Sequence, residues 1–171
     1  MEYTELINKR RSIRKYDLSK PVSEKVLSKV LEAARLAPSA CNIQPVHLIV
    51  IRDKKVKEEL KEAYSREWFF TAPVIIAGCV DIEAAWKRSY DNFNAAFVDL
   101  TIAFDHLILA AANEGLGTCW VCAFNPAVAE KILRVPSNIK VVALTPLGFP
   151  AGEPAVRIRK ELKEMVHYEK F

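Results

Sequence analysis

Residues 94–122, NAAFVDLTIAFDHLILAAANEGLGTCWVC, decide which α/β architecture this chain adopts. The stretch opens as one long helix, Asn94–Asn113, and Gly115 stands where a helix places its C-terminal cap. A strand is expected to follow over Thr118–Ala123. The segment GLGTCW therefore begins like a glycine-rich dinucleotide fingerprint and then breaks it. Trp120 occupies the last glycine position, and helix precedes strand, the reverse of the order that fingerprint requires. Apolar residues occupy nearly the whole circumference of the helix, interrupted by Asp99, Asp105 and His106. Such a helix is expected to lie buried centrally or in a dimer.

Working outward, a short helix is expected over Thr4–Asn8. A stronger one is capped by Ser23, carries Val26, Leu27, Val30, Leu31 and Ala34 on one face, and stops at Pro38. Lys54–Tyr64 reads as an exposed charged helix and Pro126–Leu133 as a short one. Strands are expected over Val46–Ile51, Val74–Val80 and Lys140–Leu147, with Pro146 putting the end of the last one at a sheet edge. Glu83–Asn92 shows no period and reads as a loop or lid. The tail from Glu153 reads as extended and then helical. Strands and helices mix without strict alternation, so the fold class is α+β.

The 171 residues suit one domain, 1–171, with 51% apolar and 27% charged residues. The start, MEYTELINKR, has no basic-then-apolar leader pattern, and Ala72–Val80 is too short to span a bilayer as a helix. A cytoplasmic protein with reduced thiols is expected. The five glycines all lie at or beyond residue 78. No early backbone cradle for a phosphate is possible, so any phosphate must be held by side chains. The charge agrees. Residues 1–70 carry 15 Lys/Arg against 10 Asp/Glu, whereas 71–152 carry 5 against 7.

Three clusters carry chemical potential. Arg10, Arg11, Ser12 and Arg14 place guanidinium forks and a hydroxyl where several donors can converge on one dianion; the plainer reading is a solvated helix end. Pro38-Ser39-Ala40-Cys41-Asn42-Ile43-Gln44-Pro45 offers amides that match the donor and acceptor edge of a heteroaromatic ring, or simply makes a polar loop. Arg157 and Arg159, two apart in an extended segment, share a side and could meet one anion. Cys119 and Cys122 have C-x-x-C spacing, but on a strand they face opposite ways, so metal is not expected and both read as buried small hydrophobes. No nucleophile elbow and no zinc-protease motif occurs.

Four segments in register, RRSIRKY (Arg10–Tyr16), LAPSACNIQP (Leu36–Pro45), EGLGTCWV (Glu114–Val121) and the tail RIRKELKEMVHYEKF, resemble the FMN-dependent nitroreductases. The resemblance implies an α+β fold with a central mixed or antiparallel sheet flanked by helices, and a long buried helix at a homodimer interface. It implies FMN held non-covalently, NAD(P)H as co-substrate, a small-molecule acceptor such as a nitroaromatic or quinone, and no catalytic side chain beyond the flavin. By position, Arg10, Arg11, Ser12, Arg14, Arg157 and Arg159 would hold phosphate and ribityl. Pro38, Ser39, Ala40, Asn42 and Gln44 would reach the flavin from the partner subunit, and Cys122 and Ala123 would line its ring. Val46 departs from the family's frequent Trp after Gln-Pro, and the chain is short for the family. The alternatives are a flavin-binding protein of this fold acting on one specific metabolite, and a basic-patch nucleic-acid binder. The latter requires steeply salt-dependent affinity and lacks aromatics among its basic residues.

Overall fold

The computed structural model describes residues 2–155 and 157–171. Its centre is a four-stranded sheet in the order β1 (Val46–Ile51), β2 (Val74–Asp81), β4 (Ile139–Gly148), β3 (Gly117–Thr118). Every ladder is antiparallel, so the sheet is not mixed. The one parallel pairing described is an isolated bridge from Ser12 to Thr118.

Strand β2 is buried along its length because both of its faces are covered. Val74, Ile76 and Val80 face Leu27 and Val30 of α2 (Glu24–Arg35) and Leu100, Phe104 and Leu107 of α5 (Ala96–Asn113). Ile75, Ala77 and Cys79 face the other way, toward Leu60 of α3 (Lys54–Leu60), Phe69 of α4 (Glu67–Phe70) and Ala129 of α6 (Pro126–Leu133). This two-residue alternation makes the sheet the middle layer of three. Gly78 sets the spacing on one side, since a Cβ there would stand 2.8 Å from Phe104 Cε2. Of α5, Asp99, Leu100, Ala103, Phe104, Leu107, Ile108 and Ala111 are buried, while Phe97, Val98, Thr101, Asp105 and His106 are exposed. By length and composition α5 could cross a membrane; here its buried side is a core helix's.

The caps behave as their residue types require. Ser23 Oγ accepts from Val26 N at 3.3 Å, and Asn125 opens α6 in the same way. Several boundaries differ from the sequence reading. Helix α1 runs Tyr3–Lys9, and α2 ends at Arg35 rather than at Pro38, because the chain turns at Leu36 and Ala37. Helix α3 stops at Leu60 and decays into turns. The unexpected α4 follows, held by edge-on packing among Tyr64, Trp68, Phe69 and Phe70. The strand expected over Thr118–Ala123 shrinks to Gly117–Thr118 plus one bridge from Val121 to Leu144. From residue 157 onward, the tail contains one short 3₁₀ turn, Leu162–Glu164, and no α-helix among the described residues. Residues 83–92 are turns closed by a Lys87–Asn94 bridge and an Arg88–Asp91 ion pair.

Pro146 is not at an edge, because β4 is an interior strand. Leu144 exchanges both backbone hydrogen bonds with Val121, at 2.9 Å each. Strand alternation then points the backbone of residue 146 to the same side, at the gap between Thr118 and Val121. The missing proline N–H faces that gap, where Cys119 N donates instead to Thr145 Oγ1 at 3.2 Å. Cys122 also departs from expectation: Cys119 is buried, but Cys122 is exposed.

Burial pushes the Cys79 thiol up from its ordinary 9.0 to about 12, with Glu130 adding to the shift. An acid whose folded pKa is raised stabilises the fold below its unfolded pKa and loses that contribution as pH climbs through the folded value. Stability should therefore fall between about pH 9 and 12, at up to about 1.4 kcal/mol per unit from this thiol. Urea midpoints measured at about pH 8 and about pH 11 should show the fall, and Cys79→Val should reduce it.

Candidate active site

Helix α1 ends at Arg10, and the chain then runs extended beside the exit of β4. Ile13 N donates to Thr118 O at 2.8 Å, Asp17 N to Phe149 O at 2.8 Å, and Ala151 N to Lys15 O at 3.0 Å. Ile13 and Tyr16 turn inward onto Ala72, and Trp68 packs against them. Ser12 and Arg14, on either side of Ile13, therefore turn outward. The same pairing brings the tail, leaving β4 through Gly152, back over the N-terminal arginines.

The two cationic clusters thus meet. Arg10, Arg11, Ser12, Arg14, Arg157 and Arg159 line one cavity of about 510 Å³, together with Lys15 and Glu153. Arg14 lies over the Trp68 ring, 5.7 Å from its centroid, and Arg11 Nη1 donates to Arg10 O at 2.8 Å. Among the described residues, none of the six cations is paired with a carboxylate. Clustered unpaired guanidinium groups form a receptor for an anion with several oxygens. Below them, burial raises the Cys119 thiol, while the Arg14 charge and a Ser12 hydrogen bond oppose the shift.

A smaller pocket of about 220 Å³ is lined by Arg10, Ser12, Asp105, Ile108, Thr118 and Trp120. It shares Arg10 and Ser12 with the anion cavity and borders the turn that carries Cys122 and Ala123, both exposed. The Trp120 indole packs edge-on to Phe104 and donates from Nε1 to Cys122 Sγ at 3.0 Å. The backbone N–H groups of Cys122 and Ala123 have no acceptor among the described residues. They are available as donors to a bound group.

The amide-rich loop lies elsewhere. Pro38, Ser39 and Gln44 line a separate cavity of about 280 Å³ with Leu31, Val46 and Asp99, which shares no residue with the anion cavity. Ala40 and Asn42 form a 3₁₀ turn in which Cys41 and Asn42 take positive φ, 51° and 56°, and Gln44 follows at 57°. Gln44 N donates to Ser39 Oγ at 2.8 Å, and Gln44 Nε2 reaches Asn42 Oδ1 at 3.2 Å. Ala40 N donates to Asp99 Oδ1 at 2.9 Å, while Asp99 Oδ2 is buried without a partner. Asp99, Lys15, Trp68 and Trp120 were not singled out as site residues by the sequence. For Asp99 a signal existed: it is one of two carboxylates in an apolar helix, and it proves 2% exposed whereas Asp105 is exposed. No group of three or more metal-ligating side chains occurs among the described residues.

The model of the nitroreductase family matches residues 7–68 and 61–149. A solved nitroreductase family protein from Clostridium difficile superposes with a TM-score of 0.93 at 34% identity, covering 100% of both chains. An NADH dehydrogenase of Thermus thermophilus is 32% identical over 188 residues, covering 92% of this chain and 91% of that protein. An FMN reductase [NAD(P)H] of Bacillus subtilis is 30% identical over 177 residues, covering 94% and 71% respectively.

The seat of the arginine segment is tight at one point. A Cβ on Gly117 would stand 2.5 Å from Ile13 Cγ1 and 2.6 Å from Ile13 Cβ. Gly117→Ala should force Ile13 away from β3 and destabilise the fold by about 1–3 kcal/mol, the range for overpacking. Chemical denaturation measures the loss, and an unchanged midpoint would show that the segment moves freely.

Proposed function

The chain belongs to the nitroreductase family, and from that premise we propose that it is an NAD(P)H-dependent oxidoreductase whose resident cofactor is FMN. The observation that carries this reading is the meeting of unpaired arginines from both ends of the chain at one cavity. When bound, FMN supplies the redox centre that takes a hydride from NAD(P)H and passes electrons to a small acceptor such as a nitroaromatic or quinone.

The chain's own residues bind, orient and polarise. Arg10, Arg14, Arg157 and Arg159 neutralise the phosphate and Ser12 adds a neutral donor, with Arg11 at the rim. The free N–H groups of Cys122 and Ala123 donate to the ring where negative charge builds up. Fixed backbone dipoles do this without reorganising during the reaction. No side chain in the cavity has to act as a nucleophile or general base.

The functional unit of this reading is a homodimer in the cytoplasm, without nucleic acid or membrane, each chain acting as one FMN-binding domain. Phe97 and Val98 on α5, and Ile158, Leu162, Met165, Tyr168 and Phe171 on the tail, are large apolar side chains left exposed by the single chain. Large apolar side chains left exposed in this number suit an interface. A second copy would bring its Pro38, Ser39, Ala40, Asn42 and Gln44 to the flavin, which accounts for that loop standing apart from the anion cavity of its own chain.

The purified protein is expected to be yellow, and a colourless protein that stays so with added FMN would overturn the reading. Arg10→Ala and Arg14→Ala should each weaken FMN binding by about 1.5–3 kcal/mol, the range for hydrogen bonds to charged groups. Flavin absorbance after dialysis reads this directly, and undiminished retention in the double variant would show the cluster to be a solvated helix end. Light scattering should give twice the mass of one chain, and deletion of the tail from Arg157 onward should abolish both dimer and flavin.

A further inference from the structure

The anion cavity holds more positive charge than one phosphate uses. Arg10, Arg11, Arg14, Lys15, Arg157 and Arg159 line it, against the single carboxylate of Glu153. A phosphate monoester brings only about 1.5 to 2 negative charges at neutral pH. Some exposed cations elsewhere are paired, as in Lys29–Glu114, Arg35–Glu32 and Arg88–Asp91. Here six stand together, which repel one another until anions arrive. A concave site with such a surplus concentrates polyanions and favours the more highly charged of two otherwise similar ligands.

The shape says which polyanion. A groove of about 390 Å³ adjoins the cavity and shares Arg10, Arg11, Gly152 and Glu153 with it. Its walls are largely apolar, with Leu6, Ile13, Ala112, Leu116 and Pro150, and Lys9 stands at its margin. Guanidinium donors at the lip of an apolar slot suit a flat base that carries a phosphate close to its ribose. Arginine is also the residue that accommodates a ribose 2′-phosphate, whereas a free 2′-hydroxyl calls for an acidic acceptor. Lys9 is paired with Glu5, and Glu153, the one acid in the groove's lining, is outnumbered by Arg10 and Arg11.

We propose that the groove and its cationic lip form a second subsite, which binds the adenosine 2′-phosphate of NADPH and so makes this enzyme prefer NADPH to NADH. The proposal rests on the flavin reading above and extends it to the choice of hydride donor. The surplus charge that FMN leaves unneutralised is the charge the second phosphate meets.

The test is calorimetric titration of the flavin-loaded protein with adenosine 2′,5′-bisphosphate, adenosine 3′,5′-bisphosphate and adenosine 5′-monophosphate, with flavin absorbance recorded on the same samples. The 2′,5′ isomer should bind about tenfold or more tightly than either of the others, the scale of a charge-assisted contact. Lys9→Ala should weaken it about fivefold, as for a solvent-exposed charge, with flavin content unchanged. Equal binding of the two bisphosphate isomers would reduce the subsite to general electrostatics and overturn the proposal. So would a yellow protein that binds none of the three. A protein that holds no flavin fails the earlier reading instead, and the two failures are told apart by colour alone.

Discussion

The contact on which the rest of the molecule depends is the one between α5 and β2 at Gly78. Phe104 and Leu100 fill the space that a side chain on residue 78 would need, so the long helix lies directly on the central strand. That fixes both ends of α5. Near its start, Asp99 is held where its carboxylate accepts from Ala40, which anchors the amide loop. At its end, the Gly115 turn delivers Gly117 and Thr118 against Ile13, which seats the arginine segment. Two functional regions that share no cavity are thus placed by one helix. A shift of α5 by a fraction of an ångström would move both together.

The amide loop shows how a glycine-poor chain still makes a sharp turn. Cys41, Asn42 and Gln44 adopt left-handed backbone that glycine would take freely, a conformation costing on the order of 1 kcal/mol or more per ordinary residue. Four local bonds oppose that cost: Gln44 N to Ser39 Oγ, Ala40 N to Asp99 Oδ1, and the Gln44 amide to Asn42 twice. Strain held in place by specific bonds leaves the loop pre-shaped. A loop of this kind can present Asn42 and Gln44 in a fixed pose to a second chain, where a glycine-rich one would first have to be ordered.

Much of this was legible in the sequence, and the exceptions have physical causes. Period and capping found the long helix, the buried strand Val74–Val80 and the helix opened by Ser23, because each is governed by local chemistry. Helix α4 was invisible: its four residues are held by aromatic packing with Tyr64, which is tertiary. Residues 118–123 have the composition of a strand, but of them only Thr118 sits in a ladder and Val121 adds one isolated bridge, since apolar extended chain reads alike whether or not a neighbour pairs with it. The rule that placed Pro146 at an edge was right about its missing donor and wrong about the strand, because a gap in the neighbouring strand serves as well. Local sequence could mark the arginines at either end as anion binders. Only the family resemblance joined them, for their meeting depends on Ile13 and Lys15 pairing with the β3 turn and the β4 exit.

That pairing of the two chain ends has a consequence for the order of events during synthesis. Arg159 emerges from the ribosome about 150 residues after Arg10, which at roughly 5–20 residues per second is about 7–30 s. Throughout that interval the N-terminal cations have no partner cluster and the cavity has one wall. The cavity lined by both clusters therefore closes in a single late step, when β4 and the segment after it are released. A chain that stops before Arg157 keeps four of the cavity's six cations and lacks its second wall.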